Sequence, residues 1–115
     1  MGGKVRVAIG YFHSDKRTDL KRVCENAGLE VVGTEALKDE LLQLVDAQRP
    51  EIVILGHELP CAGDGEEAAN LIMEKYPEII VINYSGVNWP AHLTINPDRM
   101  APPLLQRLLA ALGEA

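Results

Sequence analysis

The sequence predicts an α/β fold in which helices cover both faces of a parallel β-sheet. Short apolar runs rich in β-branched residues, such as Ile52–Leu55, are typical of strands that are buried on both faces. Between these runs lie segments whose apolar residues recur at helical spacing. Regular alternation of strands and helices favours a three-layer sandwich around a parallel sheet.

The predicted elements follow one another with short connections. The strands, in chain order, are residues 5–9, 29–33, 52–55, 79–82 and 93–95. The helices, in chain order, are residues 14–27, 37–48, 65–75 and 102–112. No linker or repeat separates these elements and 115 residues is a usual single-domain length, so residues 1–115 are expected to form one domain.

Local signals fix the ends of the helices. Ser14 and Thr34 are good N-cap residues for the first two helices, and Gly28 stands where a helix C-terminus favours glycine. Pro50 and Pro77 stop the second and third helices because proline cannot donate a backbone hydrogen bond. The expected core takes its members from the apolar faces of these elements: Val7, Ile9, Leu20, Val23, Val31, Leu41, Val53, Leu55, Leu71, Ile80, Ile82, Leu105 and Leu108.

Composition excludes several functional classes. The net charge is −6, from 11 basic and 17 acidic residues, and this argues against direct nucleic-acid binding by the domain. No apolar run is long enough to span a membrane, and the start of the chain does not resemble a signal peptide. Two cysteines, Cys24 and Cys61, give no disulfide framework. We therefore expect a cytoplasmic protein with both thiols reduced.

The connection to the fifth strand is unusually short. Only seven residues, 86–92, separate Ser85 from Leu93, whereas a parallel crossover that contains a helix needs about ten or more. The sequence thus predicts that a helix is missing here or replaced by a short loop. A bare parallel return is favoured because it places Asn96 at the carboxyl ends of the strands, but an antiparallel strand or no strand stays open.

The order of elements resembles the receiver domain of bacterial response regulators. The best stretch is RPEIVILGHELP at residues 49–60 with GDG at 63–65, which resembles the family's third strand and the loop after its phosphorylated aspartate. Residues 26–33 are similar to the end of the family's first helix and its second strand. Residues 76–85 are similar to its fourth strand, which ends with a hydroxyl residue. The resemblance covers residues 4–86 well. It implies a flavodoxin-like sandwich with strand order 2-1-3-4-5.

Departures from the receiver pattern fall on its chemical residues. The acidic pair at the end of strand one is replaced by Tyr11 and Phe12, and the phospho-accepting aspartate by Gly56. The lysine at the end of strand five is replaced by Asn96, and of these positions only the hydroxyl at Ser85 matches. Receiver chemistry needs carboxylates to hold Mg²⁺ and to accept the phosphoryl group. The sequence is therefore similar to a degenerate pseudo-receiver, with no cofactor and no enzymatic activity expected.

Two histidines after the predicted strands suggest the hypothesis of a metal or anion site. His13 and His57 follow the first and third strands, and Glu58 or Cys61 could join them in a metal or anion site. Two histidines without a firm third ligand are not a zinc signature, so two loop histidines near solvent are the simpler interpretation, and no metal site is expected. Tyr11 and Phe12 could stack on a planar ligand, but aromatic residues in a vacated polar pocket more often pack against each other.

These features leave three functional classes, of which the third, an enzyme that uses the histidines, lacks an acid/base or nucleophile constellation in the sequence. The first is a phosphorylation-independent signalling module of the receiver type that acts on a protein partner or on a second copy, with a homodimer expected. The missing helix would uncover strand four, so an interaction surface is predicted around Val87, Trp89, Pro90 and the last helix. The alternative is a flavodoxin-like domain that binds a small ligand of nucleotide or cobalamin type. The cobalamin version expects Asp-x-His-x-x-Gly after strand one, which the segment from Tyr11 to Lys16 does not supply.

Overall fold

The computed structural model describes residues 3–114 as five strands and four helices. The strands are β1 (Arg6–Gly10), β2 (Glu30–Glu35), β3 (Ile52–Leu55), β4 (Ile80–Tyr84) and β5 (Leu93–Ile95). The helices are α1 (Ser14–Asn26), α2 (Lys38–Gln48), α3 (Asp64–Lys75) and α4 (Pro102–Glu114). None of these helices is both long and apolar enough to cross a membrane.

All five strands run parallel in one sheet, in the order β2-β1-β3-β4-β5. The predicted fold is confirmed, including the parallel direction of β5. Parallel strands place their carboxyl ends at one edge of the sheet, so the segments after β1, β3, β4 and β5 lie at the same edge. We call it the carboxyl edge.

The sheet separates two apolar layers. One layer packs between the sheet and α2 and α3, with Leu41, Val53 and Ile72 fully buried. The other packs between the sheet and α1 and α4, with Leu20 and Leu109 buried against β1 and β3. The alternating side chains of β1, β3 and β4 therefore fill both layers, which explains why these central strands are largely apolar.

A loop, and not a helix, connects β4 to β5. No helix lies in residues 86–92, as the seven-residue spacing predicted. Trp89 is 3% exposed and joins the layer formed by α2 and α3, so its indole ring supplies apolar surface that a helix would otherwise supply. The predicted surface role of Trp89 is therefore wrong, whereas its neighbours Val87 and Pro90 are exposed.

Buried polar side chains hold this loop in place. The Asn83 side-chain amide donates to the Val87 carbonyl at 2.9 Å, and its oxygen accepts from the Ser85 hydroxyl at 2.6 Å. The Val87 amide donates to the Ser85 hydroxyl at 3.2 Å. Further along, two hydrogen bonds join His92 to Val81. The His92 amide donates to the Val81 carbonyl at 3.0 Å, and the Val81 amide donates to His92 Nδ1 at 2.9 Å. Satisfied polar groups of this kind fix one loop conformation.

Two predicted core residues are exposed. Leu71 is 46% exposed because it borders an open groove of about 430 Å³ between α2 and α3. Ile80 is 37% exposed because it is the first residue of β4, at the end of the sheet opposite the carboxyl edge. Val23, Val31 and Leu108 are partly buried against the second layer.

Both predicted N-caps are wrong, although the helices begin close to where they were expected. His13 is the N-cap residue of α1, and Ser14 is already helical. Thr34 lies inside β2, which runs two residues beyond its predicted end because Thr34 and Glu35 pair with β1. Gly28 follows α1 with a φ of +88°, as predicted for a residue after a helix C-terminus.

Truncation of Trp89 tests its role in the core. We expect Trp89→Ala to lower the free energy of unfolding by about 3–5 kcal/mol, since it removes a large buried ring. Pro90→Ala is the matched control at an exposed neighbour and should change stability by about 0.5 kcal/mol or less. Urea unfolding followed by circular dichroism measures both. Similar stabilities for the two variants would show that the loop does not close the core.

Candidate functional site

A cavity of about 240 Å³ opens at the carboxyl edge, where β1, β3 and β4 end. Most of the predicted site residues line it together: Tyr11, Phe12, His13, Gly56, His57 and Ser85. Lys16, Glu58 and Asp98 also line the cavity, and no pattern in the sequence had placed Lys16 or Asp98 there. The structure thus brings residues from four separate segments into one site.

The Tyr11 ring covers Gly56. A Cβ atom built on Gly56 would lie 2.8 Å from Cδ2 and 2.9 Å from Cε2 of Tyr11, closer than packed carbon atoms approach. The ring also packs against Tyr84, with the ring centroids 6.0 Å apart. Tyr11 therefore fills the space into which a longer side chain at position 56 would extend.

Helix α3 approaches the same position from the other side. A Cβ atom on Gly65 would lie 1.8 Å from the carbonyl oxygen of Gly56, so only glycine fits at position 65. The Gly65 amide donates to the His57 carbonyl at 3.0 Å. The end of β3 is therefore held between the first turn of α3 and the Tyr11 ring.

The hydroxyl of Ser85 is already engaged within the protein. It donates to Asn83 and accepts from the Val87 amide, in the network that holds the loop after β4. Ser85 is 7% exposed. A hydroxyl with these partners stabilises the loop and has little freedom to act as a nucleophile or to bind a ligand.

Asn96 does not line the cavity. Its side-chain oxygen accepts a hydrogen bond from the Asp98 amide at 2.9 Å, which closes a turn after β5. Pro97 and Asp98 occupy the cavity wall instead. Of the side chains of Asn96 and Asp98, the Asp98 carboxylate is the one placed to interact with an occupant.

The carboxyl edge does not form a metal centre among residues 3–114. No group of three His, Cys, Asp or Glu side chains there could hold an ion. His13 Nε2 lies 3.7 Å from Glu58 Oε1, and both side chains are exposed. The Mg²⁺ ion of receiver chemistry requires several oxygen ligands around one point, and the residues at positions 11, 12 and 56 supply no carboxylate. These residues do not fit a receiver-type Mg²⁺ site.

Negative charge surrounds the Tyr11 hydroxyl. The pKa of Tyr11 is raised above its ordinary value, first by burial and then by the nearby carboxylates of Asp98, Glu58 and Asp15. The pKa of Tyr84 is also raised, mainly by burial. Both phenols are therefore neutral near pH 7 and serve as packing groups with a polar tip.

Arg17 is a contributor that sequence reasoning missed. Its Nη1 donates to the carbonyl oxygens of Tyr11 at 2.7 Å and Phe12 at 3.0 Å. These bonds tie the segment after β1 to the first turns of α1 and help to place the Tyr11 ring. A basic residue one turn into a helix after a strand is too common a pattern to have indicated this role.

Comparison with known proteins supports the fold. No protein-family model matches the chain. Over 63 residues it is 33% identical to protein-glutamate methylesterase/protein-glutamine glutaminase 3 of Hahella chejuensis (strain KCTC 2396). That alignment covers 55% of the chain but only 18% of the methylesterase/glutaminase, so the chain spans less than a fifth of that protein's length.

Solved structures of response regulators match nearly the whole chain. The receiver domain of the putative response regulator NarL from Mycobacterium tuberculosis superimposes with a TM-score of 0.78 at 20% identity, covering 99% of both chains. A LuxR-family response regulator from Aurantimonas sp. SI85-9A1 gives 0.81 at 20% identity, covering 98% of this chain and 86% of that one.

The response regulator PhyR from Brucella abortus gives a TM-score of 0.80 at 22% identity and matches 98% of the chain, which spans about half (49%) of PhyR. At these identities the likeness concerns the backbone. The chain therefore has the fold of a response regulator receiver domain.

The contact between Tyr11 and Gly56 can be measured by a double-mutant cycle. We expect Gly56→Ala to lower the free energy of unfolding by about 1–3 kcal/mol, because the added methyl group displaces the Tyr11 ring. In a Tyr11→Ala background the same change should cost clearly less, since the obstructing ring is gone. Gly86→Ala is the control, because a Cβ atom there meets nothing within 4 Å. Equal costs of Gly56→Ala in both backgrounds would contradict the contact.

Proposed function

We propose that this chain is a signalling module of the response regulator receiver type that works without phosphorylation. The observation that carries the proposal is the Tyr11 ring lying over Gly56, which fills the position that the resemblance assigns to the phospho-accepting aspartate. Positions 11 and 12, assigned to the acidic pair, hold aromatic residues. The scaffold is kept while the groups needed for phosphoryl transfer are replaced.

Electrostatics supports the same proposal. Phosphoryl transfer to a carboxylate depends on neutralising the charge of the phosphoryl oxygens, chiefly by Mg²⁺ and a cationic side chain. The position of the family's lysine holds Asn96, whose uncharged amide closes a local turn. The carboxylates of Glu58 and Asp98 make the cavity unfavourable for a phosphoryl dianion.

Incubation with acetyl phosphate and Mg²⁺, followed by intact mass spectrometry at neutral pH, tests phosphoryl transfer. We expect no phospho-adduct on the unmodified chain. We also expect none on Gly56→Asp, because Tyr11 occupies the space of the new carboxylate and no acidic pair holds the metal ion. A stoichiometric adduct on the unmodified chain would overturn the proposal, and neutral pH preserves any labile adduct on His57.

We propose a second copy of this chain, or another protein, as the partner of the module. Val87, at 41% exposed, and Leu104, at 50% exposed, are large apolar side chains on the loop after β4 and on α4. Pro90 is exposed on the same loop. Exposed apolar side chains of this kind favour contact with a protein surface.

Light scattering at micromolar concentration tests self-association. We expect a particle of about twice the mass of one chain, and Val87→Ser should shift it toward the monomer because it removes apolar surface from the interface. Thr94→Ser, an exposed and more conservative change on β5, is the control. A monomer at all concentrations would exclude the homodimer and leave a different protein as the partner.

A small-ligand domain is the second candidate. The observation in its favour is that the carboxyl edge keeps a cavity of about 240 Å³ instead of closing completely around Tyr11. This volume is smaller than the roughly 300–1,000 Å³ of usual small-molecule sites, so a nucleotide or cobalamin would not be enclosed. A chromophore or nucleotide that copurifies with the protein would favour this candidate.

A further inference from the structure

We propose that the cavity at the carboxyl edge accepts an arginine side chain presented by a partner protein. The inference rests on the proposed function, because it identifies the chemistry by which such a module recognises its partner. It is carried by three properties of the cavity: two aromatic rings in its wall, two carboxylates and a volume suited to a single side chain.

The aromatic rings supply flat apolar surface. Phe12 is 40% exposed at the cavity, and Tyr11 is partly buried deeper in the wall. A guanidinium group is planar and weakly hydrated, so it stacks favourably on such rings. A lysine ammonium is more strongly hydrated and lacks the flat face.

The carboxylates supply charge that complements a cation. Glu58 and Asp98 both line the cavity and are both exposed. Their negative potential reaches the wall itself, since both of them raise the pKa of Tyr11. Three basic residues also line the cavity: His13, whose Nε2 lies 3.7 Å from Glu58 Oε1, His57, and Lys16, whose side chain is exposed. The chain's net charge of −6 also attracts a basic partner over longer distances.

The volume decides between a side chain and a larger ligand. At about 240 Å³ the cavity is below the usual range for small-molecule sites, roughly 300–1,000 Å³, but holds one long side chain. Arginine is enriched among residues that insert into pockets at the centres of protein interfaces. A guanidinium combines donors for carboxylates with a planar face for an aromatic ring, and neither a phosphate nor an aliphatic side chain combines the two.

Amide NMR titration with N-acetyl-arginine amide tests the proposal, with N-acetyl-lysine amide as the matched probe. We expect saturable shifts at Phe12, Glu58 and Asp98, with a dissociation constant in the millimolar range, about 1–10 mM, typical of a single docked side chain. The lysine probe should bind more weakly, since it lacks the planar group. Circular dichroism confirms that each variant in the titration is folded.

Removing an acidic residue and removing a basic residue at the cavity should change the affinity for arginine in opposite directions. Asp98→Asn and Glu58→Gln should each weaken arginine binding about two- to fivefold, and Lys16→Gln should strengthen it by a similar factor, since exposed charges act with modest energies. Weaker binding to Lys16→Gln, or equal shifts from the two probes, would overturn the proposal. Saturable shifts of the same amides with inorganic phosphate would overturn it in favour of an anion site.

Failure of the arginine titration is distinguishable from failure of the proposed function. The absence of saturable shifts would reject the arginine pocket, whereas the proposed signalling role depends on the mass-spectrometric result. A phospho-adduct would reject the proposed function even if arginine bound. Each result therefore has its own interpretation.

Discussion

The packing of the Tyr11 ring over Gly56 is the contact on which the site depends. Gly56, the residue after β3, has no side chain, and the ring of Tyr11, the residue after β1, fills the space above it. From below, Gly65 on α3 lies against the Gly56 carbonyl so closely that no other residue fits. The backbone of Gly56 thus contacts α3, and a side chain at position 56 would have to displace the Tyr11 ring.

This packing gives the cavity an aromatic wall with charged residues beside it. Tyr11 and Tyr84 pack together, and burial raises the pKa of both phenols, so they stay neutral. Glu58 and Asp98 remain as carboxylates, but they are exposed and form no metal site with a third ligand in residues 3–114.

The loss of a helix between β4 and β5 is compensated in a similar way. Trp89 enters the layer formed by α2 and α3, and the side chains of Asn83 and Ser85 bind the loop that carries it. Ser85, which the resemblance matched to the hydroxyl of the receiver site, therefore has a structural role in this chain. Val87 is left exposed on the same loop.

The architecture could be predicted from the sequence because it depends on patterns along single segments. The apolar run Ile52–Leu55 after Pro50 defines β3, and the seven residues before Leu93 are too few for a helix. Side-chain packing between segments could not be predicted in this way. Trp89 looks the same in sequence whether it lies on the surface or in the core, and the exposure of Leu71 depends on the groove between α2 and α3.

For the candidate site too, the position could be predicted from the sequence, but the side-chain contacts could not. Its position at the carboxyl edge followed from parallel strands, and most of its predicted residues line one cavity. The contribution of Arg17, which binds two backbone carbonyls, and the turn that removes Asn96 from the cavity depend on local hydrogen bonds. No spacing rule in the sequence indicates either of them.

Binding of Mg²⁺ together with beryllofluoride, a phosphoryl mimic, is the most direct test of the central claim that the carboxyl edge has lost the receiver's phosphoryl site. The measurement is the amide NMR spectrum of the unmodified chain during titration with both. We expect no saturable shift at Gly10, Tyr11, Gly56 or His57, because the Tyr11 ring fills the space above Gly56 and no group of three His, Cys, Asp or Glu side chains in residues 3–114 could hold a metal ion. Saturable shifts of these amides at millimolar concentration would contradict the loss of the site.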